Sequence, residues 1–173
     1  IMQFFNLNEN TFLITWNQNL DSNLTNLLTS YRNIIMSICG DDIQDCVQSI
    51  RSLLVIIHNN GTSTKEIIEK IKIIDPEKIK IKNKSIKLWK IPVCYDLEFA
   101  PDIKAVSNLN NISTQDLIEI HLSKTYDVLS MGFLPGFMYL GKTDNRIHCE
   151  RKAKPSLKIR KGSVGLALNQ TCI

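Results

Sequence analysis

The sequence predicts an α+β chain in two parts: a small two-layer α+β domain over residues 1–88 and a second domain of short strands over residues 89–173. Three observations predict it. Up to about residue 88, β-type runs alternate with stretches of helical periodicity, the pattern of a sheet covered on one face by helices. Beyond Trp89 one capped helix is followed by short strand-like runs separated by Gly and Pro, the pattern of a curled sheet or barrel. Finally, 43% of the 173 residues are hydrophobic, enough for a packed core in each part.

In chain order, NTFLITW (10–16) is the first β-type run. In and just before DSNLTNLLTSYRNII (21–35), Leu20, Leu24, Leu27, Leu28, Tyr31 and Ile35 recur at helical spacing, with Asp21 and Ser22 able to cap a first turn. Gly40 and the Asp41-Asp42 pair break this helix, and CVQSIRSLLVII (46–57) then reads as one long strand. NNGTSTKEIIEKIKII (59–74) restarts a helix, with Ser63 and Glu66 at capping-box spacing. In KIKIKNKSIKLWK (78–90) the period is two: Ile79 and Ile81 face a core, whereas Lys78, Lys80, Lys82 and Lys84 face water, as on an edge strand. Trp89 is expected to be buried near the domain junction. WKIPVCYD (89–96) reads as a short strand, and NNISTQDLIEIHL (110–122) as a helix whose Ser113 and Asp116 form a capping box. YDVLSMGF, MYLG and GSVGLAL supply the later strands.

Charge and cysteine usage exclude several functions. The net charge is +4, but many lysines lie in the alternating stretch, without the interleaved aromatics of a nucleic-acid binder, so no nucleic-acid partner is expected. The longest apolar runs, such as SLLVII (52–57), are far short of the ~20 residues that span a bilayer, and a cytoplasmic location without membrane attachment is expected. Five cysteines, Cys39, Cys46, Cys94, Cys149 and Cys172, are widely spaced and form no C-x-x-C pair. They predict neither a disulfide framework nor a metal site.

The densest signal is MGFLPGFMYLGK (131–142). Gly132 and Gly136 can take positive φ and Pro135 fixes the chain between them. Phe133, Phe137 and Tyr139 then surround one held backbone path, as a core plug or a pocket wall. His121, one turn after Leu117, closes a helix C-terminus or serves a site.

These residues also carry a family resemblance. The combination of GF-x-PGF-x-YLG with a downstream GSVG and QT, with IPVCYD before it and IRSLLV (50–55) in the first domain, resembles the family that comprises the 5-oxoprolinase B subunits, allophanate hydrolase subunit 1 and KipI. The resemblance implies that the second domain is a cyclophilin-like β-barrel, incomplete at Ile173, where the family continues into a further glycine-rich segment. It implies a non-autonomous subunit of an ATP-dependent lactam hydrolase. Such an enzyme opens 5-oxoproline to glutamate together with two further 5-oxoprolinase components, a homologous C subunit plus a third, the A subunit. A second implied reading is a KipI-like inhibitor that docks on a sporulation sensor histidine kinase.

Carried over by position, the resemblance implies catalytic roles for His121, Tyr126, Tyr139 and Arg151. It implies substrate or partner binding by Gly132, Phe133, Pro135, Gly136, Phe137, Ser163, Gln170 and Thr171. ATP is implied as a ligand of the complex. No Gly-x-x-x-x-Gly-Lys-Ser/Thr loop is present, and no biotin attachment site. The chain departs from the family at Glu150, Ser156, Arg160, Leu168 and Cys172, where Pro, Arg, Pro, Gly and Gly are usual. Serine at 156 removes a guanidinium able to clamp a carboxylate or phosphate.

Overall fold

The computed structural model describes residues 2–18, 22–75, 79 and 87–173, which fall into two compact units, Ile1–Ser85 and Ile86–Ile173. Lys78, Lys80, Lys82, Lys84 and Ile81 lie outside the described residues.

The first unit is built on strands β1 (Met2–Asn8), β2 (Thr11–Trp16), β3 (Ile43–Gln48) and β4 (Ser52–Ile57) with helices α1 (Ser22–Cys39) and α2 (Thr64–Lys72). The strands form one antiparallel sheet in the order β1-β2-β4-β3. Period-two alternation buries Phe12, Ile14 and Trp16 of β2 and Leu53, Val55 and Ile57 of β4 on one face. The helical stripe Leu24, Leu28, Tyr31, Ile35 and Cys39 of α1, with Ile67, Ile68 and Ile71 of α2, completes that core. Each such side chain contributes about 1.5–3 kcal/mol on burial. Polar ties fix α1 against β3: Arg32 Nε donates to the Cys46 carbonyl at 2.6 Å, and Thr29 Oγ1 to Gln48 Oε1 at 3.0 Å. At the start of α2 the Ser63 hydroxyl accepts from Glu66 N–H at 3.3 Å, as the spacing predicts.

Two expectations are corrected here. CVQSIRSLLVII is not one strand but parts of two, β3 and β4, paired antiparallel across a turn closed by Ser49 N–H on the Ser52 carbonyl at 2.8 Å. The turn carries neither Gly nor Pro, so an unbroken alternation hides it. Strand β1 has no counterpart in the sequence reading, because its NLN end breaks the alternation and a bulge lies between Asn6 and Asn8.

The second unit holds helices α3 (Ile103–Leu109) and α4 (Thr114–Leu122), strands β5 (Val128–Met131), β6 (Met138–Lys142), β7 (Gly165–Ala167) and β8 (Gln170–Cys172), and a 3-10 turn at Asn145–Ile147. Ser113 and Asp116 make both halves of the capping box at the head of α4. The strands pair antiparallel in the order β5-β6-β8-β7. Among the described residues this sheet does not close into the expected barrel, since it is four strands wide, with β5 and β7 at its edges. Ile103, Leu117, Ile120 and Ile147 form the core of this unit, with Tyr95 and Leu166 packed against it.

The segment around Trp89 is also corrected. Residues 87–95 form no strand, in keeping with a proline at 92 that cannot donate to a ladder. The Trp89 ring is 68% exposed rather than buried, and its face is met by the Lys87 ammonium 3.8 Å from the ring centroid.

Candidate functional site

Helix α4 delivers His121 to the interior of the second unit, where it is 8% exposed. Its Nδ1 lies 2.6 Å from the Tyr95 hydroxyl, and its Nε2 lies 3.3 Å from Thr171 Oγ1. The Thr171 hydroxyl donates to the Gly165 carbonyl at 2.9 Å, so its oxygen accepts from the histidine. This assigns the proton to Nε2 and leaves Nδ1 to accept from Tyr95. Tyr126 completes the cluster by donating its hydroxyl to the His121 carbonyl at 2.8 Å, with its ring 5.4 Å from the imidazole.

The cluster is electrically neutral. Burial pulls the His121 pKa below its ordinary value and pushes that of Tyr95 up. Burial also takes Tyr126 to about 12, helped by the neighbouring Tyr95 and Asp144. A neutral imidazole with both nitrogens engaged ties α4, β8 and the 91–100 segment together.

The loop 132–137 is the second element. Gly132 N–H donates to the Phe137 carbonyl at 3.2 Å and Phe137 N–H to the Leu134 carbonyl at 3.0 Å, so the loop is closed on itself. Gly136 has φ +84° as its position predicts, but Gly132 is not in the left-handed region. Phe133 takes that role instead, at φ +69°, a conformation that costs a non-glycine residue about 1–2 kcal/mol. The strained residue presents its ring outward at 81% exposure. Behind it the rings of Phe133, Phe137 and Tyr139 step edge-to-face at 5.6 and 5.0 Å. From Val128 to Gly141 the chain carries no charged residue. The loop is therefore a rigid apolar knob.

Residues 150–163, which include Arg151 and Ser163, are exposed throughout. Of the six cations between Arg151 and Lys161, Lys152 pairs with Asp102 at 2.7 Å and Arg160 approaches Glu98 at 4.0 Å. Among the described residues the other four, Arg151, Lys154, Lys158 and Lys161, make no ion pair. Gly162 turns this segment at φ +77°, and Ser163 donates its hydroxyl to the Arg160 carbonyl at 2.6 Å.

Of the residues expected from sequence, the fold gathers His121, Tyr126 and Thr171. It separates Tyr139 from them: Tyr139 pairs with Cys172, the neighbour of Thr171, and alternation along β8 sends adjacent side chains to opposite faces. Arg151 lies in the exposed basic segment. Gln170 is placed on β8; its Nε2 is buried and has no hydrogen-bond partner among the described residues, and the same holds for Thr143 Oγ1. Tyr95 was missed, since it lies 26 residues from His121 in sequence within a stretch that reads as a strand.

Comparison with known proteins decides the family. A model of the carboxyltransferase domain, subdomain C and D, matches residues 2–173. The chain belongs to this carboxyltransferase family. It is similar to the 5-oxoprolinase B subunit of Bacillus subtilis (strain 168), 44% identical over 85 residues, covering 49% of this chain and 35% of the relative. It is also similar to the 5-oxoprolinase B subunit of Escherichia coli O157:H7, 30% identical over 130 residues, covering 75% of this chain and 59% of the relative. The chain thus spans from about a third to under two thirds of the curated relatives it matches. Among solved structures, that of TTHA0988 aligns with a TM-score of 0.74 at 18% identity, covering 100% of this chain and 32% of that one. At that identity the likeness establishes a shared fold. No helix among the described residues is long and apolar enough to cross a membrane.

Proposed function

We propose that the chain is the B-type component of an ATP-dependent 5-oxoprolinase, acting with homologous C-type and third, A-type components to open the lactam of 5-oxoproline to glutamate. The observation that carries this reading is the 44% identity over 85 residues with a 5-oxoprolinase B subunit. The geometry is in keeping with it. The knob at Phe133 and Leu134 is preorganised and charge-free, as a partner-docking element requires, while the neutral His121 tie holds the sheet that carries it.

A lactam carbonyl is a poor electrophile, so its oxygen must be activated and the developing charge stabilised. ATP, when bound, supplies that activation by phosphoryl transfer. The donor set of the exposed segment fits a polyphosphate: Arg151, Lys154, Lys158 and Lys161 carry cations that make no ion pair among the described residues, and Gly162 leaves open space for approach. In this reading these four residues bind the phosphates, and Tyr139 Oη donates a hydrogen bond to bound substrate.

Co-expression of the chain with the A-type and C-type components, followed by measurement of ATP-dependent glutamate release from 5-oxoproline, tests the proposal. Release that requires all three chains is expected. A chain that joins neither component, and whose omission leaves the activity intact, defeats it. Inhibition of a sensor histidine kinase in place of lactam hydrolysis would give the function to the regulatory reading.

A further inference from the structure

In an antiparallel sheet covered by helices on one face, the other face meets water and is ordinarily polar. The first sheet departs from this. Register places Phe5 of β1 opposite Leu13 of β2, Leu13 opposite Leu54 of β4, and Leu54 opposite Val47 of β3. These four form a continuous apolar row across the full width of the sheet, on the face away from the helices. Ile56 lies beside it on β4. The ends of the row are open, Phe5 at 47% and Val47 at 46% exposure. No charged residue occurs in β1, β2 or β4, and the flanking positions on this face are Gln3, Thr15 and Ser52 on one side and Thr11 and the exposed Asp45, which is opposite Ile56, on the other. Asp45 is the one charge in the four strands, and its Oδ1 accepts from Cys46 N–H at 2.7 Å.

We infer that this face is the contact between two copies of the chain, packed sheet to sheet about a two-fold axis running parallel to the strands between β2 and β4. A patch that meets its own copy must be complementary to itself, and two properties of the row satisfy that condition. The row itself is free of charge, and the two-fold sets the Asp45 carboxylates of the two copies at opposite edges of the contact, each over the partner's uncharged β1, so self-pairing brings no like charges together. Its side chains also run from large at one end, through two leucines, to small at the other. The two-fold reverses that order, setting Phe5 of one copy over Val47 of the other and Leu13 over Leu54, so that bulk meets space and the leucines fill the centre. Face-to-face packing of aligned sheets is a standard arrangement.

The size of the face sets the strength. Four strands at ~4.8 Å spacing and about six residues at ~3.4 Å rise give a footprint of roughly 400 Å². That is about half of the ~800 Å² that each partner contributes to a standard interface. The association is therefore weak and depends on concentration. It rests on the first unit alone and does not depend on the lactam-hydrolase reading.

Sedimentation equilibrium of the 173-residue chain, run from low to high micromolar concentration, reads the association. The mass is expected to rise from the 19.7 kDa of one chain toward twofold that value. Leu54→Lys alone, and Leu13→Asp alone, each set a charge against leucine at both contacts and should weaken the association at least ~tenfold. An equimolar mixture of the two variants should recover it, because the aspartate of one copy then meets the lysine of the other. Should either central variant melt below the parent, Phe5→Glu and Val47→Lys repeat the exchange at the exposed ends of the row. A parent that stays at single-chain mass throughout overturns the inference. So does a dimer that these variants leave intact, or a mixture that does not recover. If the parent is single and Phe5→Glu instead abolishes co-purification with the A-type or C-type component, the face belongs to that component and the inference is rejected.

Discussion

The hydroxyl of Tyr95 stands 2.6 Å from Nδ1 of His121 and donates to it, because the Thr171 contact on the other side of the ring places the imidazole proton on Nε2. Removing the hydroxyl leaves a buried acceptor unmatched, a loss of about 1–3 kcal/mol. Tyr95→Phe is therefore expected to lower the urea midpoint while the apolar ring still packs. A midpoint equal to the parent's would show that the hydrogen bond contributes nothing to stability.

The same imidazole predicts a pH dependence. Burial holds the folded pKa of His121 below the ordinary 6.5, so in the unfolded chain the group takes up a proton at a higher pH than in the folded one. Its contribution is fully present above pH 6.5 and is lost as pH falls from there through the folded pKa. Urea midpoints measured from pH 8 to pH 5 should decline over that window. The slope should flatten in His121→Gln; an unchanged slope would assign the decline to other groups. The carboxylates of Asp42 and Asp144, whose hydrogen bonds lower their pKa values, that of Asp144 to about 2, lose their contributions only in stronger acid.

The two glycines of the 132–137 loop should behave differently. A Cβ at either position meets nothing within 4 Å, but only Gly136 has a positive φ, at +84°. Gly136→Val is expected to cost about 1–3 kcal/mol through backbone strain and, under the proposed function, to abolish partner-dependent lactam hydrolysis. Gly132→Ala should stay within ~0.5 kcal/mol of the parent. Equal melting of the two variants would contradict the assigned backbone.

Gly165 and Cys172 are paired across β7 and β8, and a Cβ at 165 would lie 2.7 Å from Cys172 Sγ. Gly165→Ala should destabilise by about 1–3 kcal/mol through overpacking. Adding Cys172→Gly should recover part of that loss, a non-additivity readable in a double-mutant cycle. Strict additivity would count against the contact.

Leu168 adopts φ +55° at the hairpin between β7 and β8, where the family resemblance leads one to expect glycine. Leu168→Asn, compatible with the left-handed region, should melt at or above the parent. Leu168→Val should melt below it by about 1 kcal/mol or more. The reverse order would refute this backbone reading.

The sequence made some of this legible and hid the rest for physical reasons. Periodicity and capping residues suffice to place α1, α2 and α4, because each needs only its own side chains: Ser113 and Asp116 announce α4 by their spacing alone. The β3–β4 reversal is invisible because Ser49, Ile50 and Arg51 carry no turn signature. Gly136 was legible as a positive-φ position, whereas Phe133 was not, since no side-chain property asks for it. Tyr95 could not be picked out, because its importance arises only when the fold brings it against His121 and so makes the histidine a tie between elements.

The order β1-β2-β4-β3 has a kinetic consequence. Strands β1 with β2, and β3 with β4, are neighbours in sequence and pair as hairpins, whose closure takes microseconds. The sheet becomes whole only when β4 finds β2 across the entire length of α1 and β3. That single long-range step, with α1 collapsing onto both hairpins, is where the search entropy concentrates. Substitutions at Ile14 or Leu53, which meet across that seam, should slow folding more than equally destabilising ones within either hairpin.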